Sequence, residues 1–233
     1  MHGWKRWALV SGIVVVVLVV GGPYVYFHFI QGPAPKPFSL DSVTTVDPGS
    51  SSGSSTTALS SLDGTWKIAN GSQVGYRVKE TLFGQSAEAV GRTSAVTGSF
   101  TLAGAKVTAA SFTVDMTKVS SDRSQRDGQF QGRIMDTADF PNATFVLSSP
   151  IDLGTVPADG AKVTPKATGK LTLHGTTKTV TIALNADRSG NTIQVVGSTP
   201  ITFSDYNIDN PSGGPASVGN SGTLEVQLVL AKS

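Results

Sequence analysis

Apolar residues follow two rules along this chain: a continuous run near the N-terminus, and an alternation that dominates from residue 62 onward. Val180, Ile182, Leu184 and Ala186 are apolar, Thr181 and Asn185 between them are polar, and only Ala183 breaks the pattern. Successive side chains of an extended chain point to opposite faces, so this period of two predicts a strand with one buried face. The same alternation recurs at Val74-Tyr76-Val78, Phe100-Leu102, Phe112-Val114-Met116, Leu171-Leu173, Ile193-Val195 and Leu224-Val226-Leu228-Leu230. Turn formers stand between them at Ala103-Gly104, His174-Gly175, Ser189-Gly190-Asn191 and Asn220-Ser221-Gly222, which lets neighbours pair as antiparallel hairpins. Repeated short strands joined this way predict an all-β sandwich or an up-and-down barrel.

One segment departs from period two. Phe130 and Ile134 are four apart within Ser124 to Met135, and Arg126, Asp127 and Arg133 fall mostly on other faces. That spacing predicts a helical turn or two before Pro141, with Ser121 or Ser124 as its cap. In a closed barrel such a helix would cover an end or line a mouth.

The N-terminal run, residues 8–30 of an anchor segment 1–30, carries no formal charge over 23 residues. At ~1.5 Å rise per residue a helix of that length spans about 34 Å, slightly more than the ~30 Å hydrocarbon slab of a bilayer. Trp4 and Trp7 flank one end and Tyr24 and Tyr26 the other, as amphipathic rings do at the headgroup layer. Lys5 and Arg6 precede the run and only Lys36 follows soon after, so the positive-inside rule places the N-terminus in the cytoplasm and the rest outside. A single-pass transmembrane anchor in the cell membrane is the expectation. A cleaved signal peptide shares the basic start and apolar core, but no A-x-A site stands near the end of the run. Gly21-Gly22-Pro23 blurs the helix boundary without excluding a span.

Residues 31–61 read as a linker. Two-thirds of the stretch Gly32 to Ser61 is Ser, Thr, Gly or Pro, and no apolar period survives. Such a chain buries too little apolar surface to offset its ordering entropy and is expected to be disordered, reaching roughly 30 Å by the ~5–6 Å × √n estimate. An O-glycosylated stalk is the alternative that its composition allows.

Composition then removes function classes. The absence of cysteine excludes disulfides, thiolate metal sites and a cysteine nucleophile. A formal charge of +2 is too near balance for a nucleic-acid partner, since phosphate binding leaves a clear Lys/Arg excess. His2 and His28 fall in the anchor, which leaves His174 at a His-Gly turn as the domain's one imidazole. Within residues 62–233 no Gly-x-Ser-x-Gly elbow precedes a helix, no Gly-Lys-Ser/Thr phosphate loop occurs, and nothing places Asp136 and Asp139 together in a cleft. The expectation is a binding protein rather than an enzyme, with no cofactor and no metal.

Three stretches carry a family resemblance. Arg126 and Asp127 through Asp139-Phe140-Pro141-Asn142-Ala143-Thr144-Phe145 resemble a signature of the YceI-like family. Gly169 to Val180 is similar to its second landmark, a strand, turn and strand, and Phe203-Ser204-Asp205-Tyr206-Asn207-Ile208 to a third. The likeness starts at Trp66-Lys67-Ile68 and covers nearly all of the domain 62–233. That family often has a histidine two residues after its Arg-Asp pair, where this chain has Gln129. The resemblance implies an exported, eight-stranded antiparallel, lipocalin-like barrel holding a long isoprenoid or other lipid chain.

An eight-stranded barrel is either packed shut or left open for one ligand. Many small residues occur among the strands, including Gly98, Gly104, Ala109, Ala110, Gly169 and Gly197, which favours an open interior. Candidate wall residues are Tyr76, Val78, Phe100, Phe112, Val114, Met116, Phe145, Leu171, Leu173, Ile182, Leu184, Val195 and Leu228, unless they are simply core. Phe130, Ile134 and Phe140 are candidates for the mouth. Arg126 and Asp127 would either orient a headgroup or fasten the helix. A closed barrel acting as a surface spacer or adhesive module, with no lipid, is the competing expectation.

Overall fold

A computed structural model describes residues 34–42, 62–82, 84–213 and 216–233. The expected anchor and most of the expected linker lie outside them. Among the described residues no helix is long and apolar enough to cross a membrane.

The alternating segments form strands as the period of two requires. In chain order they are β1 (Gly64–Ile68), β2 (Gln73–Leu82), β3 (Gln85–Thr93), β4 (Val96–Ala103) and β5 (Lys106–Asp115), then helix α1 (Ser124–Gln129). After it come β6 (Asn142–Leu147), β7 (Ile151–Asp152), β8 (Lys166–Leu173), β9 (Thr176–Ser189), β10 (Thr192–Thr202), β11 (Ala216–Val218) and β12 (Ser221–Lys232).

Every pairing between these strands is antiparallel, and the twelve segments make eight staves of one closed barrel. β1 and β2 pair with successive parts of β12, Ile68 opposite Leu230 and Gln73 opposite Gln227, so they are one stave interrupted at 69–72. β3 and β4 are likewise one stave broken at 94–95, since β2 pairs with β3 and β1 with β4. β6 and β7 both pair with β5, and β11 and β12 both with β2. The β1–β12 ladder closes the ring, which removes the open edges that a flat sheet would expose.

The turns obey their residues. His174 and Gly175 both have positive φ, 46° and 71°, as a two-residue hairpin that matches strand twist requires. Helix α1 forms where expected and continues as a π-helical turn over Phe130–Ile134. Its cap differs from the expectation. Arg123 holds the N-cap position without a side-chain capping hydrogen bond, and Ser121 is engaged with Asp127, donating to its Oδ1 from the backbone N–H at 2.8 Å and the hydroxyl at 2.6 Å.

Inward positions gather into two apolar clusters. One, under α1, joins Phe130, Met135, Leu171, Leu173, Ile201 and Tyr206. The other surrounds Trp66 and Leu230, both wholly buried, with Trp66 stacked on Phe100 at 6.2 Å.

Part of the expected linker is ordered against the barrel. Pro35 accepts a hydrogen bond at its carbonyl from Arg77 at 2.6 Å, and Lys36 from Arg92 at 2.5 Å. The Phe38 ring lies under the Arg92 guanidinium, 4.0 Å from its centroid, and a 3-10 turn at Leu40–Ser42 rests against β9 and β10. Composition alone misses this because the segment has no period. Its prolines pre-extend the backbone, and its carbonyls satisfy two arginines of the wall.

Candidate functional site

The barrel encloses a cavity of about 1070 Å³. Ligand pockets commonly run ~300–1,000 Å³, so this one is large. The interior is not packed shut.

Flat-lying side chains keep it open. At several places an inward ring or branched side chain lies over a glycine of the next strand. A Cβ on Gly91 would meet the Tyr76 ring at 2.4 Å, one on Gly169 the Phe145 ring at 2.4 Å, one on Gly98 the Phe112 ring at 2.9 Å, and one on Gly197 the Leu184 methyl at 2.6 Å. Glycine is needed at these positions for close approach. Gly104, counted among the small strand residues, is instead a turn glycine at φ 57°, and Ala109 is exposed on the outside of β5.

All thirteen expected wall residues line the cavity: Tyr76, Val78, Phe100, Phe112, Val114, Met116, Phe145, Leu171, Leu173, Ile182, Leu184, Val195 and Leu228. Phe130 and Ile134 line it from the helix side. Phe140 does not. It packs edge-on against His174 at 4.7 Å and over the Cα of Gly175, because the β8–β9 turn folds back onto it. Val74, Leu82, Ile193, Leu224 and Val226 also line the cavity without having been singled out, although four of them belong to the alternating runs.

The charged lining residues stand at the two ends. Glu80, Arg123 and Arg126, with Gln125 and Gln129, form a rim under α1, and Asp187 and Arg188 lie toward the opposite end. Arg126 pairs with Glu80 at 3.5 Å across the mouth and with Asp122 one turn earlier on its own segment. Burial and the neighbouring Arg126 pull the Arg123 guanidinium below its ordinary pKa. Asp127 turns to Ser121 rather than to the cavity, so of the two expected headgroup residues only Arg126 faces the lumen.

Tyr76 sits beneath this rim, stacked on Phe130 with centroids 5.0 Å apart and planes 12° from parallel. Burial pushes its phenol up to about 12, more than the opposing charge of Arg126 can offset. His174 holds a turn, its Nδ1 3.3 Å from the Tyr206 carbonyl oxygen.

A closed antiparallel barrel with an open apolar interior and a helix-capped polar rim is the class that these features define. Residues 66–230 match the YceI-like domain, and the chain belongs to that family. It is 32% identical over 102 residues to UPF0312 protein VPA0850 of Vibrio parahaemolyticus serotype O3:K6 (strain RIMD 2210633), covering 41% of this chain and 50% of that protein. The chain thus spans about half the length of the curated relative it matches. The fold is similar to a polyisoprenoid binding domain from Saccharophagus degradans implicated in plant cell wall breakdown, with a TM-score of 0.60 at 20% identity, covering 73% of this chain and 99% of that one. It also resembles Burkholderia cenocepacia BcnA, with a TM-score of 0.53 at 25% identity over 68% of this chain and 95% of that one.

Proposed function

We propose that the protein is a membrane-anchored, extracytoplasmic carrier or store that holds a long-chain isoprenoid or related lipid in its lumen, without catalysing a reaction on it. The observation that carries this reading is the large apolar cavity with charge confined to its ends. An oily tail gains ~0.8 kcal/mol per buried CH₂ before entropy losses, and larger ligands keep ~0.3 kcal/mol per heavy atom net. A tail of about 40 carbons thus has on the order of 12 kcal/mol available, sufficient for tight binding without any reacting group. Arg126 at the rim suits a polar or anionic headgroup. The polyisoprenoid-binding relative supports the ligand class, and the uncharged run of residues 8–30 supports the anchor.

The test is to purify the chain from residue 31 onward, extract it with organic solvent and identify prenyl or acyl chains by mass spectrometry. Recovery of stoichiometric lipid is expected. A folded protein that yields none, and takes up neither isoprenoid quinones nor polyprenols, overturns the reading.

A further inference from the structure

The strap 34–42 has a direction along the barrel. Its start, Pro35, bonds Arg77, which lies three residues from Glu80, the rim residue paired with Arg126 of α1. Arg77 is also opposite Thr223, two residues into β12 from the same rim. The other end of the strap leads away from that rim. Asp41 pairs with Lys162 at 3.5 Å, and the adjacent Val163 bridges to Ala186, far along β9 toward the opposite end. Ala34, Phe38 and Leu40 are half-buried, while Pro35, Lys36, Pro37, Ser39 and Asp41 are exposed. Beneath this region Val90, Gln194 and Val196 are buried although their register turns them away from the lumen, as wall positions are when something lies over them.

Chain length gives this direction a consequence. Only residues 31–33 separate the apolar run from the strap, and four residue steps extend at most ~14 Å at ~3.3–3.6 Å each. A free tether over the whole linker would average roughly 30 Å and allow any orientation. We infer that the strap sets the barrel's attitude at the membrane, with the α1 rim toward the bilayer, so that the mouth opens onto the lipid surface. This rests on the anchor reading above. The mouth then meets a tail where the tail already resides, and the tail need not cross water to reach the lumen.

The chain has no cysteine, so a single introduced thiol can be labelled uniquely. Ser124→Cys marks the α1 rim and Asn191→Cys the far turn, both at exposed positions. Each full-length labelled protein is reconstituted into phosphatidylcholine vesicles containing a lipid with a nitroxide on its headgroup. Several-fold stronger quenching at position 124 than at 191 is expected, and Phe38→Ala should bring the ratio toward one. Equal or reversed quenching in protein that floats with the vesicles overturns the orientation while leaving the anchor intact. A ratio unchanged by Phe38→Ala overturns the strap as its cause. Protein that fails to float refutes the anchor, and the orientation with it.

Discussion

The ring of Tyr76 lies over the backbone of Gly91, directly opposite it in the β2–β3 ladder, closer than any β-carbon would permit. Gly91→Ala must therefore push the ring into the lumen or spread the two strands, and overpacking of this kind costs about 1–3 kcal/mol. Gly128 in α1 is the matched control, since nothing lies within 4 Å of its would-be β-carbon. There alanine should be neutral or stabilise by ~0.5–1 kcal/mol through helix propensity. Denaturant midpoints of the two variants check the contrast, and equal midpoints would refute it.

Leu184 and Val114 both line the cavity. Leu184→Trp and Val114→Trp should fill the bore and lower lipid uptake several-fold, with a smaller effect on melting temperature because the added volume enters open space. Uptake equal to that of the parent protein would remove these residues from the binding wall.

The phenol of Tyr76 is pushed up to about 12 by burial, against an unfolded value near 10.0. An acid whose folded pKa is raised lends stability that is complete below the unfolded pKa and lost as pH rises through the folded one. The window is thus pH 10 to 12, and a two-unit shift corresponds to on the order of 2–3 kcal/mol. Absorbance titration of the parent against Tyr76→Phe should show one tyrosine ionising late. A Tyr76 that titrates near 10 would contradict a dry mouth.

Arg126 spans the rim between Glu80 and Asp122. If it contacts a headgroup, Arg126→Gln should weaken a phosphate-ended polyprenol more than the uncharged alcohol of equal length. The double variant Arg126→Gln with Glu80→Gln, which removes the Glu80 carboxylate and leaves Asp122 its pairing with Arg123 at 3.6 Å, should show the same selectivity. Competition binding reads the ratio, and parallel losses for both lipids would assign Arg126 a structural role alone.

On the outer wall, Glu225 is almost wholly buried and receives Arg77 at 2.8 Å and Arg92 at 3.5 Å, while Arg77 also reaches Glu88 at 2.7 Å. Removing one partner of a buried ion pair leaves uncompensated charge. Glu225→Ala should cost about 3–5 kcal/mol, measured by thermal unfolding, and should expose the strap to limited proteolysis. A loss below ~1 kcal/mol would mean that solvent already screens the cluster.

The wall was legible in the sequence wherever inward side chains are large. Leu224, Val226, Leu228 and Leu230 announce β12 because four successive inward positions are aliphatic. β3 gave no such signal. Its inward positions opposite Val78, Tyr76 and Val74 are Ala89, Gly91 and Thr93, small residues that make room for their neighbours and so erase the period. β6 was blurred differently, by Val146, an apolar side chain left exposed on the outer face. The short helix was readable from Phe130 and Ile134, but Asp127 was ambiguous. Whether an acidic side chain turns inward or back to a serine depends on a loop path that local spacing does not encode.

The breaks in the β1/β2 and β3/β4 staves divide the ring into tiers. β12 zips to β1 near its C-terminal end and to β2 nearer its start, and β3 meets only β2 apart from one bridge between Arg92 and Ser120. The β2–β3 tier can therefore loosen without breaking the ladder that seals the base. Amide exchange should be graded along the barrel, fastest in β3 and slowest where β12 meets β1. A protein built this way can breathe at its lip and remain a vessel.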